Sequence, residues 1–279
     1  MTTVAAIQMV SSADLDANLA QAEQLLADAA ARGAKLIVLP EVFAMFSSAK
    51  QREIAEQEAS DSLRIQNWLA DIARRYQVWI VAGTIPLLVD GEARRVAAAS
   101  LVYDEKGVQR ARYDKIHLFD VDVADGQGSY RESDSFVPGS KPLTVDTPFG
   151  RLGVAVCYDI RFPELFRVML DEGMEILAIP AAFTLHTGEA HWLPLLKARA
   201  IENQVYVIGA NQGGEHTPKR KTSGGSVIID AWGEVLAEAA RGAAVVCADI
   251  ELQKLQTIRK NMPIAVHRRF FVTRNNVHD

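Results

Sequence analysis

Cysteine is scarce in this chain: 279 residues contain two, Cys157 and Cys247. Two thiols over that length exclude a disulfide framework and fit a reducing cytoplasm, where a thiol stays free for chemistry. Long apolar runs are missing as well. Runs such as residues 176–185 fall far short of the roughly 20 residues that cross a bilayer. Positive charge is not in excess, since Lys and Arg number 30 against 35 Asp and Glu, a net charge of −5. That balance supplies no global basic field for nucleic acid. Repeats, low-complexity tracts and Pro/Ser-rich linkers are absent, which argues for one domain over residues 1–279. The opening residues Thr2-Thr3-Val4-Ala5-Ala6-Ile7 lack the basic lead and long apolar core of a secretory signal. The expectation is a soluble cytoplasmic globule.

What is present is β-α alternation mixed with hairpins. Residues 4–10 read as a strand. A helix over 14–32 follows, with Leu15, Leu19, Ala22, Leu25, Leu26 and Ala29 on one face and Gly33 as its stop. Residues 36–39 form a short apolar strand, and a second helix spans 62–76. Strand signals recur at 78–84, 96–103 and 108–113, the last two joined by the turn Asp104-Glu105-Lys106-Gly107. Residues 117–139 form a long polar loop, a length more often functional than incidental. Beyond it come strands at 153–156, 176–179, 205–210, 226–230, 235–238 and 243–249. Helices are expected at 164–172, 190–203 and 252–261. Continuous apolar strands beside hairpin pairs imply an α/β fold of mixed sheets with helices packed outside.

Cys157 ends one of the buried runs, in Val-Ala-Val-Cys157-Tyr-Asp-Ile-Arg-Phe-Pro-Glu. Phe162-Pro163-Glu164 reads as the first turn of a helix, where proline is tolerated. A sulfur at such a corner sits near free backbone N–H groups and a positive helix end, which favours thiolate. Cys247 lies mid-strand with no polar company and reads as an inert core residue. Two further charged residues stand at strand ends: Glu41 directly after Leu-Ile-Val-Leu-Pro, and Lys115 after Ala111-Arg112-Tyr113-Asp114. Each alone reads as an ordinary cap or loop residue. Together an acid, a base and a thiol each terminate a predicted strand, and in α/β sheets such ends gather in one crevice.

The chain resembles the nitrilase superfamily of carbon–nitrogen hydrolases over nearly its whole length. The matching pieces are Ala-Ala-Ile-Gln-Met-Val with Asn18-Leu19, Leu-Pro-Glu41, Tyr-Asp-Lys115-Ile-His-Leu-Phe, the segment around Cys157, and Ala-His-Trp-Leu-Pro-Leu-Leu-Lys-Ala-Arg-Ala-Ile-Glu-Asn-Gln. The resemblance implies a four-layer α-β-β-α sandwich of two mixed sheets, pairing into a homodimer or higher homo-oligomer. It also implies a Glu41–Lys115–Cys157 triad working on a small-molecule amide with no cofactor and no metal. In that chemistry Glu41 takes the thiol proton and Cys157 attacks the amide carbonyl. Lys115 and the backbone N–H of Tyr158 hold the oxyanion, and water releases the acid from a thioester. Glu132, in the long loop, matches a family glutamate that orients substrate or Lys115.

Other residues point less far. His186 and His191 lack a third clustered ligand for zinc. Gly213-Gly214 and Gly224-Gly225 are turn material rather than a dinucleotide loop. The basic run Lys219-Arg220-Lys221 is solvated, or, near an active-site mouth, attracts an anionic substrate. Within the superfamily the chain is most similar to the amidases of deaminated glutathione and the omega-amidases, which implies a short keto-acid amide as substrate. Deaminated glutathione is favoured over 2-oxoglutaramate. Where the subgroup has Gly-His-Ser the chain has Gly224-Gly225-Ser226, a missing imidazole that bears on the pocket or on a subunit contact. The alternatives are an omega-amidase, a hydrolase of N-carbamoyl compounds or nitriles, and, outside enzymology, an inactive scaffold serving as an interaction module.

Overall fold

Successive strand residues point to opposite sides, so a strand apolar at every position is covered on both faces. The computed structural model, which describes residues 1–60, 62–125 and 128–272, shows that division directly. Val4 and Ala6 of the strand Thr2–Gln8 belong to one apolar cluster, Ala5 and Ile7 to another. The same split separates Leu36 and Val38 from Ile37, and Trp79 and Val81 from Ile80.

Among the described residues the strands form an eight-stranded sheet, a six-stranded sheet and a two-stranded ribbon. The first sheet runs in the order Ala244–Ile250, Thr2–Gln8, Leu36–Val38, Trp79–Val81, Val96–Tyr103, Ile85–Leu87. Gln109–Asp114 and Phe136–Val137 also pair with Val96–Tyr103. The second sheet runs Leu143–Thr147, Gly150–Val154, Ile176–Ala181, Tyr206–Asn211, Val227–Ile229, Val235–Glu238. Parallel pairs lie inside both sheets and antiparallel pairs outside them, so both are mixed. Val4, Ala6, Leu36 and Val38 share one cluster with the second sheet, which stacks the sheets face to face. A bridge between Met9 and Gln212 joins them at the end where the site lies.

Helices cover the outer faces. Leu15–Ala31 and Arg64–Tyr76 bury Leu19, Leu26, Ile65, Leu69 and Ile72 against the first sheet. Pro163–Asp171 and Leu185–Asn203 bury Phe166, Met169, Trp192 and Leu196 against the second. Each fully buried aliphatic side chain of this kind contributes about 1.5–3 kcal/mol. The result is the α-β-β-α layering that the sequence led one to expect. No helix among the described residues is long and apolar enough to cross a membrane.

Several boundaries differ from the sequence-based expectation. The strand expected over 78–84 stops at Val81, and a separate strand, Ile85–Leu87, follows beyond the expected range. The break falls at Gly83, whose φ is +48° and where a Cβ would stand 2.0 Å from the Pro40 carbonyl oxygen. Only glycine lets the chain press on Pro40 this closely, and Pro40 precedes Glu41. The helix expected from 190 begins at Leu185, capped by Thr184, whose hydroxyl accepts from the Thr187 N–H at 3.2 Å. Pro194 is accommodated inside it. The long loop holds Asp120–Asp122, Ser129–Arg131, a 3-10 turn Glu132–Asp134 and Phe136–Val137, while its positions 126 and 127 lie outside the described residues. The helix Gln51–Glu58 and the strand Leu143–Thr147 went unanticipated.

Candidate active site

Strand ends build the site. Leu36–Val38 leads through Leu39 and Pro40 to Glu41, Gln109–Asp114 leads directly to Lys115, and Gly150–Val154 leads through Ala155 and Val156 to Cys157. All three side chains line one cavity of about 510 Å³, together with Glu132 and Tyr158. The five residues singled out from the sequence therefore share one wall.

Two of these strand ends are strained. Val42 sits at φ +52° and Cys157 at φ +49°, a region that costs a residue with a side chain about 1–3 kcal/mol. The Val42 N–H is held by the Thr84 hydroxyl at 2.9 Å. Cys157 opens a 3-10 turn, Cys157–Arg161, and the helix Pro163–Asp171 starts only after it. Asp159 holds that turn. Its fully buried carboxylate accepts the Val156 N–H (2.8 Å), the Tyr113 hydroxyl (2.7 Å) and the His117 N–H (2.9 Å), and contacts His117 Nδ1 at 2.7 Å. Val156 precedes the thiol, and Tyr113 and His117 flank Lys115. One carboxylate thus ties the two strand ends together. Burial and then Asp159 push the Tyr113 hydroxyl well above the usual phenol range, so it stays a donor.

Lys115 is 2% exposed, and its Nζ lies 2.8 Å from Glu41 Oε1 and 2.8 Å from both carboxylate oxygens of Glu132. Glu132 also accepts the Phe119 N–H at 2.6 Å. The Glu41 carbonyl receives Gln212 Nε2 at 3.1 Å, and Gln212 is itself clasped by Ser11. Burial opposes the ammonium, but Glu132 and Glu41 outweigh it and hold Lys115 well above the usual lysine range. For Glu132, burial raises the carboxyl, and the pull of Lys115 does not cancel it because Glu41 adds a second negative charge.

The thiolate expected at Cys157 is not what the surroundings favour. Burial first, and then the negative charge of Glu41, drive its thiol well above the ordinary cysteine range. Lys115 and the backbone N–H of Ala182, which faces the sulfur, pull the other way without reversing it. The resting group is a neutral thiol beside a carboxylate that can take its proton.

The remaining sequence candidates scatter. Tyr158 packs its ring edge-on against Phe119 and Phe162. The basic run divides: Lys221 pairs with Glu215, Lys219 is exposed, and Arg220 turns into the cavity. His191 faces Arg161 at 3.3 Å. Among the described residues no three metal-ligating side chains cluster. Gly225 has φ +72° and is absent from the cavity wall; a Cβ there would face Glu238 and Trp192 at 3.6 Å. Cys247 is half-buried beside Ala5, and Arg32 and Asp28 act on it, so it has more polar company than its strand suggested. Asp159, Ala182 and Gln212 were missed. Asp159 stands two residues from the thiol inside the quoted motif, which was the available signal, whereas Ala182 acts through its backbone and left none.

His216 is a further titratable group, next to Phe46 of the cavity wall. Its ring stacks on Phe46 with centroids 3.7 Å apart, Nδ1 faces the Ser11 carbonyl at 2.7 Å, and Nε2 faces the Thr222 hydroxyl at 2.7 Å. Burial, with Arg220 adding to it against the Ser11 hydrogen bond, lowers its pKa to about 4. Between the ordinary value of 6.5 and about 4 the unfolded chain binds a proton that the folded chain does not. Stability therefore falls as pH falls through that window. The melting temperature should drop between pH 6.5 and 4, and the drop should be shallower in His216→Gln. Identical slopes would show that the ring titrates normally.

The carbon-nitrogen hydrolase family model matches residues 3–260. The deaminated glutathione amidase of Yersinia enterocolitica is 43% identical over 268 residues, 96% of this chain and 93% of that protein. The human omega-amidase NIT2 is 36% identical over 267 residues, 95% of this chain and 94% of that protein. Among solved structures, the C. elegans NitFhit protein superposes with a TM-score of 0.88 at 36% identity, covering 96% of this chain, which spans 65% of NitFhit. Saccharomyces cerevisiae Nit3, described as a member of the nitrilase superfamily, gives a TM-score of 0.85 at 31% identity, covering 96% of this chain and 97% of Nit3. With its sandwich of two mixed sheets and a family match over most of its length, the chain belongs to the carbon-nitrogen hydrolase family of the nitrilase superfamily.

Proposed function

We propose that Glu41, Lys115 and Cys157 form the catalytic triad of an amidase that cleaves short keto-acid amides through a cysteine thioester. The observation that carries this is the buried Lys115 ammonium, 2.8 Å from Glu41 in the cavity that Cys157 lines. As the sulfur attacks the amide carbonyl, its proton passes to Glu41. The oxyanion gathers the Lys115 ammonium and the Tyr158 N–H. Glu41 then protonates the departing nitrogen, and the C–N bond breaks to leave the thioester. Water, losing its proton to Glu41, releases the acid and returns the thiol. Glu132 orients Lys115 throughout.

The favoured substrate is deaminated glutathione, cut to 2-oxoglutarate and cysteinylglycine. Support comes from the 43% identical amidase and from a cavity of about 510 Å³, in the range of small-molecule sites of about 300–1,000 Å³. The second reading, an omega-amidase releasing ammonia from 2-oxoglutaramate, is supported by the 36% identical human protein. The specificity constants of these two substrates decide between them. We expect the larger for deaminated glutathione; the reverse order makes the protein an omega-amidase. Turnover of nitriles or carbamoyl amino acids with neither keto amide accepted would falsify both.

The triad assignment has its own test. Cys157→Ser should be nearly inactive, because an alcohol gives up its proton less readily than a thiol. Lys115→Arg should lose roughly a hundredfold in kcat, since a planar guanidinium cannot replace a compact charge at a fixed point. Glu41→Gln should lose both acceptance of the thiol proton and its return to the leaving nitrogen, so that acylation and deacylation slow together in single-turnover kinetics. Most of the activity surviving any of these substitutions removes that residue from the triad.

The protein works as a single domain in the cytoplasm, assembled into a homodimer or larger homo-oligomer. Trp232 and Phe270, 65% and 92% exposed, are large apolar side chains that a second copy would cover. Sedimentation velocity should give at least twice the 30.6 kDa chain mass. A fully active species sedimenting at the single-chain mass overturns the assembly.

A further inference from the structure

The triad leaves one cavity residue unexplained. The guanidinium of Arg220 lies 4.6 Å over the Tyr130 ring and 5.8 Å from that of Phe46, and its Nη2 donates to the Ala182 carbonyl at 3.3 Å. Its Nη1 is buried without any hydrogen-bond partner, and among the described residues no carboxylate forms an ion pair with it. The other cations at the cavity are matched: Lys115 by Glu41 and Glu132, Arg131 by Asp122. A desolvated guanidinium N–H costs free energy until a ligand completes it, and its planar fork fits a carboxylate. Arg161, by contrast, is absent from the cavity wall.

Ala182 fixes how far this fork stands from the chemistry. Its N–H faces the Cys157 sulfur and its carbonyl receives Arg220. Across one residue the two groups are separated by no more than roughly 11 Å. A five-carbon acyl chain on the sulfur, extended and ending in a carboxylate hydrogen-bonded to an N–H, spans roughly 10 Å.

We propose that Arg220 determines acyl specificity by binding a carboxylate within reach of the scissile carbonyl, such as the one four bonds away in a monoamide of a five-carbon diacid. This rests on the keto-acid amide proposal above. The fork does not sense the nitrogen that leaves, so this selection is indifferent to whether ammonia or a dipeptide departs.

The test compares kcat/KM for the monoamide of glutaric acid with that for pentanamide, the uncharged amide of equal length. In the wild type the charged substrate should be preferred. In Arg220→Gln the ratio should fall by about 100-fold, the order expected for a hydrogen-bonded charge pair, mainly through KM. Arg220→Lys should regain part of the ratio, which a purely structural role would not produce. A second measurement uses the wild-type enzyme only: phenylglyoxal modification of Arg220, read by peptide mass spectrometry, should be suppressed by glutarate and not by pentanamide. A wild-type ratio near one overturns the keto-acid proposal and this inference together. A high ratio that persists in Arg220→Gln, or modification indifferent to glutarate, overturns this inference alone.

Discussion

A buried ammonium is the constraint on which this architecture turns. Lys115 is almost inaccessible, and an unpaired charge there would cost several kcal/mol. Two carboxylates offset that cost, one reached from the interior of the first sheet and one from the long loop that closes the cavity. The ammonium therefore fixes positions as well as charge, since it draws Glu41 and Glu132 to one point. Burial, and then the negative charge of Glu41, outweigh the pull of Lys115 and hold the neighbouring thiol well above its ordinary range. The nucleophile is consequently made during reaction rather than stored.

Backbone strain complements this. Val42 and Cys157 occupy left-handed conformations one residue after Glu41 and at the thiol itself. Neither is glycine, so the surrounding structure must overdetermine both. At Cys157 that support is Asp159, which receives donors from both sides of Lys115 and from the residue before the thiol. Electrostatics sets the distance between Lys115 and the acids, and Asp159 sets the frame in which the thiol meets them.

The layers and the strand ends were legible because they rest on periodicity and on charged residues placed directly after apolar runs. Glu41 and Lys115 stood out for that reason, and the helix Leu15–Ala31 for its regular apolar face. The helix Gln51–Glu58 escaped because its buried positions include Gln51 and Glu58, so its pattern looks solvated. The strands Asp120–Asp122 and Ser129–Arg131 are three-residue polar pieces with no period to detect. The protonation of Cys157 was misjudged for a different reason. Local sequence reveals a turn and a following helix, whereas the deciding influences are burial in the folded chain and the Glu41 carboxylate, which is more than a hundred residues away in sequence.

The strand Thr2–Gln8 pairs along its whole length with Ala244–Ile250, and the Gln8 side chain reaches the carbonyls of Ala240 and Gly242. During synthesis the first of these strands thus waits for a partner more than two hundred residues further along the chain. Until residue 250 clears the ribosome, an edge of alternating, largely buried residues lies unpaired. Such an edge recruits other strands, including those of neighbouring nascent chains on a shared messenger. The chain length separating the two partners thereby imposes a demand on translation speed and chaperone cover that the finished enzyme no longer shows.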